Sequence, residues 1–420
     1  MENNLSLTVS ALPFPQQWLP AKTYLVGGSV RDALLGRKRS EFDLDLVLEA
    51  NAVSLARSIA HCCQAGFVVL DKERDIARVV FEGGTVDFAK IEGQTLEQDL
   101  RRRDFTINAI AYQLHQKELI DPLGGKQDLD AGIIKMVSPA NLQEDPLRLL
   151  RAYRQAAQLQ FQIDETTRET VRNLAPYLKQ VAGERVQMEL SYIFAIAPGS
   201  FYLQQAWEDG ILSTWFPSLT AQQVKQVPKV DAGAKQLSQR WPKLSSEWEK
   251  NVGGKSDSLQ ALAKLACLVP NSPELAEEKL TELKYSRAEI RTVTGTIKLL
   301  PQLLNTDIAE MTLRDQYFFF QEAVQVFPCL LLTAVAKGLN IDAAGHLIER
   351  YLNPQDPVTY PQPIVTGKEL LRSLSLSPSP LIGKLLIELQ IAYLEGKIQS
   401  QQEALELARS WLASDAMSSN

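Results

Sequence analysis

Lys22-Thr23-Tyr24-Leu25-Val26-Gly27-Gly28-Ser29-Val30-Arg31-Asp32 and then, past Gly36, Phe42-Asp43-Leu44-Asp45-Leu46 change hydrophobic period twice within a short span. Lys22 to Val26 is β-rich and stops at a glycine pair. Ser29, with Asp32 three residues on, has the form of a capping box for a helix ending near Gly36. Phe42 to Leu46 alternates strictly, so a strand there buries Phe42, Leu44 and Leu46 and turns both aspartates to the opposite face. The expected order is strand, glycine turn, helix, strand.

Working outward, Asn51 can cap a helix through about His61 that Gly66 closes. Phe67 to Leu70, Arg78 to Phe81 and Thr85 to Phe88 then read as strands, with Glu82-Gly83-Gly84 as a hairpin turn. From Glu144 onward the pattern becomes helical: Asp145 to Leu159, Glu165 to Leu178, and apolar-periodic segments around Leu190, Leu262, Leu299, Leu332 and Leu386. Two stretches interrupt it, a polar one from Ala221 to Ser258, read as a solvated loop, and a Pro-rich one from Pro354 to Pro363, read as a linker. The fold class is α+β, a small mixed α/β domain followed by a mostly helical remainder.

At 420 residues and 46.8 kDa, with 45% hydrophobic and 22% charged residues, the chain has the composition of a globular protein of several domains. No run approaches ~18 apolar residues, and Met1-Glu2-Asn3-Asn4 offers no basic segment before an apolar one, so the expectation is no membrane span, no secretory signal and a cytoplasmic location. Four cysteines without a C-x-x-C pair and three scattered histidines argue against disulfide, zinc and Ser-His chemistry. The net charge of −6 disfavours nonspecific coating of nucleic acid but allows a local basic groove for one RNA.

The chemistry centres on Asp43 and Asp45. Two carboxylates one strand period apart are costly together unless a divalent cation neutralises them, and Mg2+ suits such hard oxygen ligands. Alone, the pair reads as two acids on a solvated strand face, and it is the context that favours a metal. Asp87, expected on a following strand with Val86 and Phe88 facing away, can join them in a two-metal site for phosphoryl or nucleotidyl transfer. Gly27, Gly28 and Arg31 add free backbone N–H groups, a helix start and a guanidinium, a combination that suits a triphosphate.

Gly27-Gly28-Ser29-Val30-Arg31-Asp32, Leu35-Gly36-Arg37 and Asp43-Leu44-Asp45-Leu46-Val47 closely resemble the signature of class II tRNA nucleotidyltransferases, the CCA-adding enzymes, together with bacterial poly(A) polymerases. Arg102-Arg103-Asp104-Phe105-Thr106-Ile107-Asn108-Ala109 resembles a second motif of that family. Glu144-Asp145-x-x-Arg148-x-x-Arg151-x-x-Arg154 and Gly183-Glu184-Arg185-Val186-x-x-Glu189-Leu190 resemble two more. The resemblance implies a nucleotidyltransferase head over residues 10–137, a neck with the nucleotide-selecting helix over 138–200, a helical body over 201–310 and a tRNA-binding tail over 311–420. It further implies that Asp43, Asp45 and Asp87 bind Mg2+ and carry catalysis. Gly27, Gly28 and Arg31 would meet the triphosphate, and Arg103, Asp104 and Asn108 the phosphates and ribose. Arg151 and Arg154 would make further nucleotide contacts.

Asp145 and Arg148 have a physical reading of their own. A carboxylate accepts and a guanidinium donates, which matches the amino donor beside a ring-nitrogen acceptor of cytosine and adenine and mismatches uracil and guanine. A plain i,i+3 surface ion pair is the competing reading. The implied reaction is attack of a tRNA 3′-hydroxyl on the α-phosphate of CTP or ATP, with pyrophosphate leaving. The partners are the tRNA acceptor arm and the nucleotides.

Only Phe88 to Arg101 separate Asp87 from Arg102, shorter than the flexible loop of complete CCA-adding members and similar to CC-adding ones. CC addition is therefore the leading expectation, with a separate A-adding enzyme acting afterwards. Complete CCA addition comes next, then A addition or poly(A) synthesis, and, from another class, a noncatalytic RNA-binding relative.

Overall fold

The computed structural model describes residues 12–37, 41–252 and 257–418. The N-terminal stretch read for a leader lies outside these residues, as do 253–256 of the segment expected to be a loop. The chain divides into two compact units, Met1–Pro217 and Ser218–Asn420.

The first unit opens with a seven-stranded mixed sheet. Its strands are β1 (Thr23–Val26), β2 (Phe42–Leu48), β3 (Gly66–Asp71), β4 (Ile76–Phe81), β5 (Gly84–Lys90), β6 (Ala111–Gln113) and β7 (Glu118–Ile120), in the spatial order β3-β4-β5-β2-β1-β6-β7. Among the described residues of this sheet only β2 and β5 run parallel to each other. The alternation read in β2 holds at Leu44 and Leu46, which are buried while Asp43 is exposed and Asp45 half-buried; Phe42, expected to be buried, is half-buried at the start of the strand. Val26, Val47, Leu100 and Ala111 close one apolar cluster beneath the central strands.

Two helix starts are made differently from the sequence expectation. The helix Gly28–Leu34 has no side-chain cap: Ser29 Oγ donates to Val26 O, and Asp32 accepts from Arg31. The helix Ala52–Cys63 is capped from a distance, because Asn51 sits at φ 62° and it is Asp75 that accepts from the N–H groups of Ala52 and Val53. A carboxylate from the β3–β4 turn replaces the local cap, so the helix start and the hairpin are fixed together.

Helices Leu96–Arg101, Pro139–Glu144, Leu147–Leu159, Glu165–Leu174, Gly183–Phe194 and Gly199–Glu208 make most of the rest of this unit. Asp145 stands just outside the helix it was expected to begin, at φ −128° and ψ 93°, because Pro146 pushes the residue before it out of the helical region. The divide expected between 200 and 201 falls inside the helix Gly199–Glu208, and the break between compact units comes after Pro217.

The second unit is helical. The segment expected to be a solvated loop holds the helices Ala221–Val224, Val227–Arg240 and Leu244–Trp248. Val227, Val230, Ala234 and Leu237 supply a buried face at helical spacing that the abundant Lys, Gln and Ser obscure. Pro354 to Pro363 carries neither helix nor strand, as read, but it is anchored: Asp356 accepts from Val358 N, Thr359 N and Arg350. Beyond it, Val365, Leu370, Leu385, Leu389 and Ala404 form a core of their own. Among the described residues no single helix is long and apolar enough to cross a membrane.

Candidate active site

Gly27 is the hinge of the site. Its φ of 73° with ψ −137° is open only to glycine, and a Cβ there would stand 3.1 Å from Arg103 Nη1 and 3.3 Å from Asp45 Oδ2. The missing side chain lets the turn, the β2 carboxylate and the Arg103 guanidinium close on one another.

Asp43 and Asp45 share the exposed face of β2, and the parallel pairing with β5 sets Asp45 opposite Asp87 and Asp43 opposite Thr85. Thr85 Oγ1 donates to Asp43 Oδ1 at 2.8 Å. Burial pushes the Asp45 carboxyl up to about 6; Arg103 pulls it back, while Asp87 and Asp43 push it further up. Asp87 does not join the pair as an open ligand. Arg78, opposite it on β4, donates from Nε to Asp87 Oδ1 at 2.6 Å and from Nη2 to Oδ2 at 2.8 Å. Among the described residues no group of three or more His, Cys, Asp or Glu is placed to hold a metal ion. The adjacent carboxylates Asp43 and Asp45 do fit a hard divalent cation, whose charge relieves the repulsion and the burial that lift Asp45.

Behind this face lies a buried polar network. Asp104 Oδ1 accepts from Phe105 N and from Asn108, and its Oδ2 accepts from Arg151 Nε at 3.0 Å. Burial alone would raise this carboxyl, but Arg151, Asn108 and the Phe105 N–H override it and hold it at about 2. Asn108 also receives Arg31 Nη1 at 2.7 Å and donates to Gln155. Arg31 is itself buried, with Nε and Nη2 on Asp32. Arg31, Asp104 and Asn108 are thus bonded to one another's neighbourhood rather than projecting from the turn. They brace the glycine turn against the helix Leu147–Leu159.

A cleft of about 440 Å³ opens beside Arg103, lined also by Glu92, Arg102, Asp145, Arg148 and Arg185, a size suited to a small ligand. Asp145 and Arg148 are not an ion pair with each other. Asp145 accepts from Arg185 Nη1 at 3.2 Å and Nη2 at 2.9 Å, and Arg148 Nη1 donates to the carbonyls of Arg102 and Asn141, each at 3.0 Å. Both side chains are therefore held at the cleft wall by fixed partners. Arg154 is engaged elsewhere, by Glu189 and Gln158, with its guanidinium over the Tyr192 ring.

The structure thus brings Gly27, Asp43, Asp45, Asp87 and Arg103 to one face and Asp145 and Arg148 to the adjoining cleft, and it places Arg31, Asp104, Asn108, Arg151 and Arg154 in internal ion pairs and hydrogen bonds. Sequence reasoning missed Arg78, Gln155 and Arg185 as parts of the site. Arg78 had a signal: a Glu82-Gly83 turn pairs Phe81 with Gly84, and counting back along both strands sets Arg78 against Asp87.

A short mixed sheet that carries the Asp43 and Asp45 carboxylates thus opens to a polar cleft walled by helices. Three family models match: Poly A polymerase head domain over residues 23–135, Probable RNA and SrmB-binding site of polymerase A over 160–223, and tRNA nucleotidyltransferase domain 2 over 255–408. A CC-adding tRNA nucleotidyltransferase of Synechocystis sp. is 47% identical over 400 residues, 95% of each chain. One of Geobacter sulfurreducens is 30% identical, spanning 91% of this chain and 90% of that one. The solved complex of a CCA-adding enzyme with CTP superposes with a TM-score of 0.73 at 25% identity, covering 93% of this chain and 91% of that one. The chain belongs to the tRNA nucleotidyltransferase and poly(A) polymerase family.

Proposed function

We propose that this enzyme adds C residues from CTP to the 3′ end of tRNA without a template and stops at CC. The observation that carries the chemistry is the continuity from Asp45 through Arg103, which touches both the carboxylate face and the cleft holding Asp145 and Arg148. The stop at CC is supported by the short connection after β5. It consists of a tight turn at Gly93 and the helix Leu96–Arg101, with Glu92 ion-paired to Arg74 and Arg102. Similarity to the Synechocystis enzyme over nearly the whole chain supports the same specificity.

Asp43 and Asp45 would hold Mg2+, which supplies charge neutralisation at the α-phosphate and makes the tRNA 3′-hydroxyl more acidic. Arg103, which stands beside the Gly27 turn and lines the cleft, would meet a triphosphate oxygen. Asp145 accepts from the exocyclic amino group of the base while Arg148 donates to the ring nitrogen beside it, so C and A fit and U and G do not. Arg185 keeps the Asp145 carboxylate aimed. Arg31, Asp104, Asn108 and Arg151 are positioning residues under this reading, and Arg154 ties the selecting helix to its neighbour.

The head (10–137) would carry the chemistry, the neck (138–200) the selection, and the body (201–310) and tail (311–420) the grip on the tRNA acceptor arm by shape and backbone charge. The enzyme would work in the cytoplasm beside a separate A-adding enzyme. The test is incorporation of labelled CTP and ATP, singly and together with Mg2+, into tRNAs ending at the discriminator base, at C and at CC. Product that stops at CC with ATP present supports the proposal; extension to CCA overturns the specificity and leaves the nucleotidyltransferase reading standing.

A further inference from the structure

The carboxylates of the catalytic face are not equivalent. Asp43 and Asp45 carry no bidentate cation, whereas both oxygens of Asp87 are taken by the fork of Arg78 across the β4–β5 pairing, at 2.6 and 2.8 Å. A planar guanidinium on a carboxylate in this geometry is the strongest form of ion pair a side chain offers, and the pair lies between neighbouring strands whose register fixes both ends. On the same face lie Val68, opposite Arg78, and Val80, opposite Thr85; both are exposed and neither offers Arg78 another partner.

We propose that Arg78 is a built-in counter-ion of the catalytic face. It occupies Asp87 in the way a second metal would, so the centre is built on Asp43 and Asp45 and takes one divalent ion until a nucleotide brings another. Three carboxylates would otherwise invite two free ions to the empty face. With Arg78 on Asp87, part of the repulsion at Asp45 is already offset, and a bound ion has only the remainder from Asp87 and Asp43 to relieve. Arg78 is then a positioning residue that sets metal stoichiometry, acting through Asp87. This rests on the metal-dependent reading above.

The probe is Mn2+ alone, titrated by calorimetry and by electron paramagnetic resonance into the full chain without nucleotide or tRNA. The wild type is expected to bind one ion. Arg78→Gln frees the Asp87 carboxylate and is expected to bind at least about fivefold tighter or to take a second ion. The decisive variant is the double Arg78→Gln/Asp87→Asn, which removes the pair without changing net charge or side-chain bulk much, and whose folding is checked by its melting temperature. It is expected to bind Mn2+ within about threefold of wild type, because neither residue is a ligand. A loss of tenfold or more in the double variant, or two ions in the wild type, overturns the proposal and makes Asp87 a ligand. Asp43→Asn serves as the control: if it leaves Mn2+ binding unchanged, the metal assignment itself fails and takes this inference with it.

Discussion

The Asp145 carboxylate accepts from Arg185, forty positions further along the chain, while Arg148, three positions away, meets Asp145 only through the backbone, its N–H donating to the Asp145 carbonyl. The ordinary explanation of such an acid and base pair, a local bridge on one helix, is thereby removed. Both groups are left at the wall of the same cleft, each with a partner that orients it and neither cancelling the other.

Arg185→Ala should loosen selection without unfolding the protein. The Asp145–Arg185 pair is partly exposed, so its loss should cost less than about 1 kcal/mol of stability. Steady-state kinetics with CTP and UTP should show the ratio of kcat/KM values falling by about tenfold or more, as expected when an acceptor in a closed site loses its orientation. An unchanged ratio would remove Arg185 from the selecting apparatus.

Replacing both Asp43 and Asp45 by Ala should abolish incorporation, by at least about 10³-fold, since several kcal/mol of charge stabilisation go with the ion they hold. Binding of tRNA, measured by filter retention, should stay within a few-fold of wild type. Surviving incorporation would mean the carboxylates were assigned wrongly.

Gly27→Ala tests the close approach at the turn. The backbone there is strained for any residue with a Cβ, at a cost of about 1–3 kcal/mol, and the added methyl would press on Arg103 and Asp45. Both the melting temperature and kcat should fall. A fully active, equally stable variant would show that the turn relaxes without disturbing the face.

Acid should weaken the brace behind the site. Because the folded-state value of Asp104 is held at about 2, below the ordinary ~3.9, its contribution is present at neutral pH and is lost as pH falls from about 4 through 2. That contribution is on the order of 2 kcal/mol at pH 7. Arg151→Ala leaves the buried carboxylate without its cation and should destabilise by about 3 kcal/mol at pH 7, with a smaller penalty at pH 3. Urea denaturation at the two pH values measures both effects.

Short-range pattern made the head legible. Period-two alternation gave β2, the Glu82-Gly83 turn gave the β4–β5 hairpin, and the glycine pair gave the turn before Gly28. Long-range partners were hidden, because nothing local tells that Asp75 caps the helix at Ala52 or that Arg185 reaches Asp145. The residues 221–248 misled for a different reason: a helix needs only one apolar stripe, and three polar faces outvote it in composition. The resemblance assigned Arg31, Asp104 and Asn108 to the nucleotide; what no local pattern revealed is that Asn108 links the other two and that Gln155 and Arg151 of the helix behind hold them.

The parallel pairing of β2 with β5 bears on how the protein is born. Asp43 meets Thr85 across 42 positions of sequence, by way of a helix and a hairpin. Contacts of such separation close late, after local helices and turns have formed. A nascent chain released from the ribosome before Lys90 has emerged therefore has the D-x-D strand but no active face, and it cannot spend CTP or disturb a tRNA end until the head is whole.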